Sequence, residues 1–294
     1  MAYRKILVPL DGSEIAERAL SYVQAIARTK STKVILLTVL AAHEGRSDHP
    51  MKAYLDSQAK ELESKGIKVS TAIAYGHAAE QIIEFAENNK INLIVISSHG
   101  HSGIKLRLLG SIAQKVLHGT CVPTLLVKPG AIEVSQVELK KVLLPLDGSS
   151  FSEASIPYVN QLLKGPGAEI VLLHVSEPPV VPPDWSRDTK SHMKEYRERL
   201  TSELQQQALE YLEKIKAALG RKGLRVRAKA VVGMAVESII EAAKKENVDL
   251  IAMTTHGRTG VSRWMYGGVV NRIVEECQKP ILLIRPCRPE GPRP

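Results

Sequence analysis

Asp11 and Asp147 each close a short apolar run and are each followed by Gly-Ser, in "PLDGS" at residues 9–13 and again at 145–149. A carboxylate there accepts hydrogen bonds and repels phosphate, so it suits a ribose hydroxyl or an adenine amino group. A second loop supplies the complementary chemistry. In "SHGHSGIKLRLLGS" stand Gly100, Gly103 and Gly110, and in "THGRTGVSRWMYGG" stand Gly257, Gly260 and Gly267, with nine residues between the first and last glycine in both copies. Glycine lets a backbone approach a ligand closely. Gly110 precedes "SIAQKVL", which as a helix would present open N–H groups and a positive dipole end to phosphate, with Ser111 adding a hydroxyl donor. Base and sugar would then fall to the first loop and phosphates to the second. The same residues allow a plainer reading: "DGS" as turn-and-cap chemistry, with Ser150 and Glu153 forming a capping box, and His99 and His256 as satisfied loop histidines.

For the two loops to meet, the elements must carry them to one place. Ile6 to Val8, Val34 to Val39, Val69 to Ala74, Leu93 to Ile96 and Thr124 to Val127 are short continuous apolar runs, as strands covered on both faces should be. Helical spacing lies between them, at Ile15, Ala19, Val23 and Ile26, and at Ile82, Ile83 and Ala86. Alternating strands and helices predict a parallel sheet with right-handed crossovers, whose ligands bind beyond the carboxyl ends of the strands where the winding reverses. The whole pattern occurs twice. Residues 5–23 match 141–159 at an offset of 136, whereas later segments match at 157, so the second half carries 21 more residues. They fall in a proline-rich loop, with Pro178, Pro179, Pro182, Pro183 and Trp185, and in an extended helix striped by Met193, Tyr196, Leu200, Leu204, Ala208, Tyr211 and Ile215. The loop reads as a crossover connection, a lid or partner site being the alternative. The expected organisation is a domain at 1–130, a second at 139–288 with its insertion around 176–200, and a tail at 289–294.

Composition is that of a globular chain: 294 residues, 44% hydrophobic and 24% charged, with only 4% aromatic residues, so packing rests on aliphatic side chains. No apolar run approaches the length of a membrane span, and a cytoplasmic protein without membrane contact is expected. Cys121, Cys277 and Cys287 form no C-x-x-C pair and are expected as free thiols. The net charge of +9 could suit a polyanion. However, Arg225, Arg227 and Lys229 alternate with small apolar residues, which reads as a solvated basic edge strand, and no recognition module accompanies them, so no nucleic-acid partner is expected.

At these loops, and over nearly all of both halves, the chain resembles the universal stress protein family in its tandem-domain form. The ATP-binding members of that family carry G-x2-G-x9-G-[ST]; this chain reads Ser97-x2-Gly100-x9-Gly110-Ser111 and Thr254-x2-Gly257-x9-Gly267-Gly268. The resemblance implies an α/β fold of two tandem doubly wound, open five-stranded parallel sheets. These would be Rossmann-like, in strand order 3-2-1-4-5, and pair as a pseudo-dimer through the fifth strands "PTLLVK" and "PILLIR". It implies ATP, with or without Mg2+, as cofactor, and no metal held by protein side chains alone. The cofactor-binding positions carried over in the first half are Pro9, Leu10, Asp11, Ser13, Val39, Ile96, Ser97, Gly100, His101, Gly103, Gly110, Ser111 and Ile112. In the second half they are Pro145, Leu146, Asp147, Ser149, Val175, Met253, Thr254, Gly257, Arg258, Gly260, Gly267, Gly268 and Val269. Ser97 and Thr254 replace the leading glycine. A left-handed backbone there would cost about 1–2 kcal/mol, so an extended strand end is expected instead. Gly268 lacks the terminal hydroxyl, a loss of about 0.5–1.5 kcal/mol.

The function expected is that of an ATP-binding stress-response regulator without rapid catalysis, since neither a G-x4-G-K-[ST] loop nor a recurring Ser-His-Asp set is present. A slow ATPase or ATP-dependent adenylating enzyme is the enzymatic alternative, and a dimerising scaffold without nucleotide the third reading. Pairing of the two halves is expected, with a homodimer of whole chains left as an open alternative.

Overall fold

The computed structural model describes residues 3–27, 31–41, 49–100, 109–129, 137–163, 167–178, 190–220, 224–255 and 268–286. In the first half the apolar runs form β1 (Lys5–Pro9), β2 (Lys33–Leu40), β3 (Lys68–Tyr75), β4 (Leu93–Ser97) and β5 (Thr124–Val127). The periodic segments form α1 (Glu14–Ile26), α2 (His49–Ser64), α3 (Ala78–Asn88) and α4 (Ser111–Gly119). The second half repeats this with β6 (Lys141–Pro145), β7 (Glu169–Ser176), β8 (Arg225–Val232), β9 (Leu250–Thr254) and β10 (Ile281–Ile284). Its helices are α5 (Ser150–Glu153), α6 (Ile156–Leu162), α7 (Lys190–Gly220), α8 (Ala235–Lys245) and α9 (Gly268–Glu276).

The copies differ where sequence chemistry differs. α1 is one helix, but its counterpart is split into α5 and α6. Pro157 lies in the first turn of α6 and has no N–H to donate back toward Glu153, so the helix restarts there. α7 has 31 residues, a length of about 46 Å at helical rise. Its apolar stripe is covered only toward the C-terminal end, where Ala208, Leu212 and Leu219 are buried; Tyr196, counted in that stripe, is 55% exposed.

The strands run β3-β2-β1-β4-β5-β10-β9-β6-β7-β8 in one ten-stranded sheet. Each half has the expected 3-2-1-4-5 order, and the halves join edge to edge through the antiparallel pairs Ile281↔Leu126, Leu282↔Leu125 and Leu283↔Thr124. Two apolar layers flank the sheet. Ile6, Val8 and Leu36 face α1 and α2, while Leu7, Ile35 and Leu37 face α3 and α4; both layers continue across the seam into the second half. Cations reach over the seam as well: the Lys128 ammonium donates to the Val274 carbonyl in the last turn of α9, and the Arg285 guanidinium to the His118 carbonyl in the last turn of α4. Positive charge is favoured at helix C-termini.

The expectation of free thiols is corrected. Cys121 is disulfide-bonded, while Cys277 is free and buried. The C-x-x-C spacing searched for in the sequence marks only local pairs. β8 is an edge strand with exposed cations, as read, and acids that the sequence did not point to pair with those cations. Glu169, with only 8% of its side chain exposed, lies 2.6 Å from Arg227 and 3.5 Å from Arg225, and Glu246 lies 2.6 Å from Arg227 and 3.1 Å from Lys229.

Candidate functional site

β1 and β4 are neighbours, with Ile6 opposite Leu93 and Leu7 opposite Ile94, so the loops that leave their carboxyl ends start side by side. The first is tightly tied. Leu10 donates its N–H to the Leu37 carbonyl at 2.8 Å, and the Thr38 hydroxyl donates to the Leu10 carbonyl at 2.8 Å, which fixes the chain leaving β1 against β2. Asp11 Oδ1 then accepts from the Ser13 amide at 3.0 Å and the Ser13 hydroxyl at 2.6 Å, while Gly12 at φ +83° closes the turn. Ser13 Oγ in turn accepts from the Ala16 N–H at 3.2 Å and caps α1.

The second copy repeats the aspartate turn and its cap. Asp147 Oδ1 accepts from the Ser149 amide at 2.9 Å and its hydroxyl at 2.6 Å, Gly148 has φ +84°, and Ser149 Oγ accepts from Ser152 N–H at 3.1 Å. The turn-and-cap chemistry is therefore present in both copies. The capping residue is Ser149 rather than Ser150, one position earlier than the capping box expected from sequence, because the Asp147 turn delivers Ser149 to the helix start.

The second loop is pressed against the first. A methyl group on Gly100 would overlap Asp11 Oδ2, so the missing side chain is what lets the backbone beside β4 touch the aspartate. The loop closes where the Gly110 N–H donates to the Ser98 carbonyl at 2.8 Å, and a Cβ on Gly110 would stand 3.0 Å from that same oxygen. α4 starts immediately. Its first internal bond runs from Gln114 N–H to the Gly110 carbonyl at 2.9 Å, so the amides of Ser111, Ile112 and Ala113 precede the helical ladder and lie at its positive end. Ser98 Oγ lies 3.0 Å from His99 Nδ1, the satisfied loop histidine of the plainer reading.

Ser97 and Thr254 are the last residues of β4 and β9, and the non-glycine residues with positive φ among those described are Lys90 and Asn247. The extended strand end expected at these substitutions is thus found. Ile96, Ser97, Met253 and Thr254 are buried, and Val39 and Val175 pack half-buried on the same face as Ile96 and Met253, an apolar wall toward the carboxyl ends of the strands in each half. Leu10 and Leu146 turn their side chains into the core. Pro9, Pro145 and Asp147 are half-buried, whereas Asp11, Ser111 and Ile112 are exposed. His101, Gly103, Gly257, Arg258, Gly260 and Gly267 lie outside the described residues, as does most of the proline-rich loop, including Pro179 and Trp185. Gly268 opens α9, and Val269 is exposed at the position equivalent to Ile112.

Sequence reading missed a second tier beneath the aspartates. Tyr211 of α7 donates to Glu153 Oε1 at 3.0 Å and meets the His174 ring edge-on at a centroid distance of 5.9 Å. Burial, together with the Glu153 and Asp147 carboxylates, pushes the Tyr211 phenol well above its ordinary range. Tyr54 of α2 is shifted the same way by burial beside Glu17 and Asp11. The signal was available: Glu17 and Glu153 are related by the first offset, Tyr54 and Tyr211 by the second. Among the described residues, no three His, Cys, Asp or Glu side chains converge as metal ligands.

The family model described as the Universal stress protein family matches residues 2–128 and 138–285. A universal stress protein of Methanocaldococcus jannaschii is 33% identical over 154 residues, covering 43% of this chain and 95% of its own length. One from Mycolicibacterium smegmatis is 23% identical over 256 residues, covering 85% of this chain and 81% of itself. Among solved structures, a universal stress protein from Archaeoglobus fulgidus superposes with a TM-score of 0.70 at 22% identity, over 97% of this chain and 99% of its own.

Proposed function

Because the chain belongs to the universal stress protein family, we propose that it is an ATP-binding stress-response regulator that responds to nucleotide occupancy without rapid catalysis. One observation carries the reading: Gly100 has no side chain where Asp11 Oδ2 approaches it, so a carboxylate acceptor and the backbone leading to the α4 N-terminus share one spot at the sheet's reversal point. In this assignment Asp11 takes the ribose or adenine donors, Val39 and Ile96 flank the base, and the Ser111 and Ile112 amides take phosphate oxygens. Mg2+ would arrive with the nucleotide. The second half is assigned the same role through Asp147, Val175, Met253, Gly268 and Val269. Cytoplasmic residence and a further homodimer belong to the same proposal; among the described residues, no helix is long and apolar enough to cross a membrane.

Isothermal titration with ATP should give saturable binding. Asp11→Asn keeps the Oδ1 acceptor of the turn but replaces the charged oxygen beside Gly100, and should weaken binding about tenfold, the scale of one charge-assisted hydrogen bond. Absence of heat with ATP, ADP and AMP alike would overturn the proposal. Turnover of ATP at about one per second or faster would move the protein to the enzymatic reading.

A further inference from the structure

At the opposite end of the first-half strands from these loops, Lys5, Lys33 and Lys68 stand in direct register across β1, β2 and β3. In-register residues of a parallel sheet share a face about 4.8 Å apart, and like charges so placed repel one another. The same register in the second half reads Lys141, Glu169 and Arg225. There the central carboxylate lies 3.5 Å from both flanking cations and 2.6 Å from Arg227. A second acid, Glu246, holds Arg227 and Lys229; its first-half equivalent is Asn89. The shared part of the arrangement is conserved between the copies. Lys5 Nζ donates to the Asn89 carbonyl at 2.9 Å, as Lys141 Nζ does to the Glu246 carbonyl at 3.0 Å. The first half lacks the central carboxylate, with Lys33 in its place, and it also lacks the cations that Glu246 serves, since Ser70 and Ala72 stand where Arg227 and Lys229 do. Among the described residues none of Lys5, Lys33 and Lys68 forms an ion pair, and Lys33 and Lys68 are exposed.

We propose that this lysine ladder is a docking site for an acidic segment of a partner protein, which supplies in trans the kind of carboxylate that Glu169 supplies within the second half. The chemistry of the occupant is taken from the chain itself, since a carboxylate is what satisfies this register there. A polypeptide fits better than a small anion because the ladder is open to solvent, where a single ion pair is screened and worth little, whereas consecutive acidic side chains engage several lysines together. Three cations spanning about 10 Å neutralise too few phosphates to hold a nucleic acid firmly at physiological salt. β3 is the terminal strand of the sheet, so the ladder begins at an accessible edge.

The test is fluorescence anisotropy of a short fluorescein-labelled oligoglutamate peptide titrated with the intact chain at low and physiological salt. Salt-sensitive binding is expected. Lys33→Glu, which rebuilds the alternating signs of the second half, should weaken it at least tenfold while raising the thermal midpoint, and Lys33→Gln should fall between. Lys194→Glu makes the same change in net charge on exposed α7 and should leave binding intact. Lack of binding by the wild type, equal binding by Lys33→Glu, or equal loss in Lys194→Glu would overturn the proposal. So would tighter, Lys33-dependent binding of a single-stranded oligonucleotide or of phosphatidylserine vesicles, which would assign the ladder to a different class of partner. A lowered thermal midpoint in both Lys33 variants would likewise count against it, by showing that the lysine serves the fold.

Discussion

Glycine residues at different places in the motif do different work here, and single substitutions separate them. Gly100 abuts the Asp11 carboxylate, whereas a Cβ on Gly268 would meet nothing within 4 Å. Gly100→Ala should therefore displace the Asp11 carboxylate, lowering ATP affinity about tenfold or more, while stability falls by less than about 1 kcal/mol because the clash is with the end of an exposed side chain. Gly268→Ala should stay within about 0.5 kcal/mol of the parent. Titration calorimetry and urea unfolding of the two variants check this; equal effects would show that the loops do not press together at Gly100. At this scale the aspartate turns and the fixed glycine gap were legible in the sequence because they are local and duplicated. The Tyr211–Glu153 bond was not, because it joins residues 58 positions apart whose meeting depends on how α7 lies on the sheet.

Among the elements, the copies share topology but differ in how charge is arranged on their edge strands. Burial alone would raise the carboxyl of Glu169, but Arg227, Lys141 and Arg225 outweigh it and hold it below its ordinary value of 4.5. Glu246 is lowered likewise, by its bond to Arg227 against the effect of burial and with the aid of Lys229. A depressed folded-state value contributes stability that is present above the unfolded value and is lost as pH falls through the folded one. Urea midpoints should accordingly drop on acidification from neutral pH to below about 4. Glu169→Gln should be the less stable protein at pH 7, with the gap narrowing at low pH. A constant gap would mean that the network contributes nothing through ionisation. The basic alternation of β8 was readable from period two alone, but its acidic partners come from β7 and the C-cap of α8 and were invisible to a strand-by-strand reading.

In the whole molecule, the β5–β10 seam turns two repeats into one sheet with two continuous apolar layers. Such continuity predicts a single cooperative transition in differential scanning calorimetry, with calorimetric and van't Hoff enthalpies in agreement. Two resolved transitions would show that the halves unfold separately despite the shared layers. The sequence by itself determined the duplication, the alternation of strands and helices, the loops at the strand ends and the capped aspartate turns, because each is set by residues near one another along the chain. Only the tertiary structure decided that Asp11 and Gly100 touch, that Cys121 is bonded, that Lys128 and Arg285 reach across the seam, and that Lys5, Lys33 and Lys68 fall in line. Each of these depends on strand register and on the direction of a crossover, which bring together residues separated by tens to more than a hundred positions, and no local pattern records such a meeting.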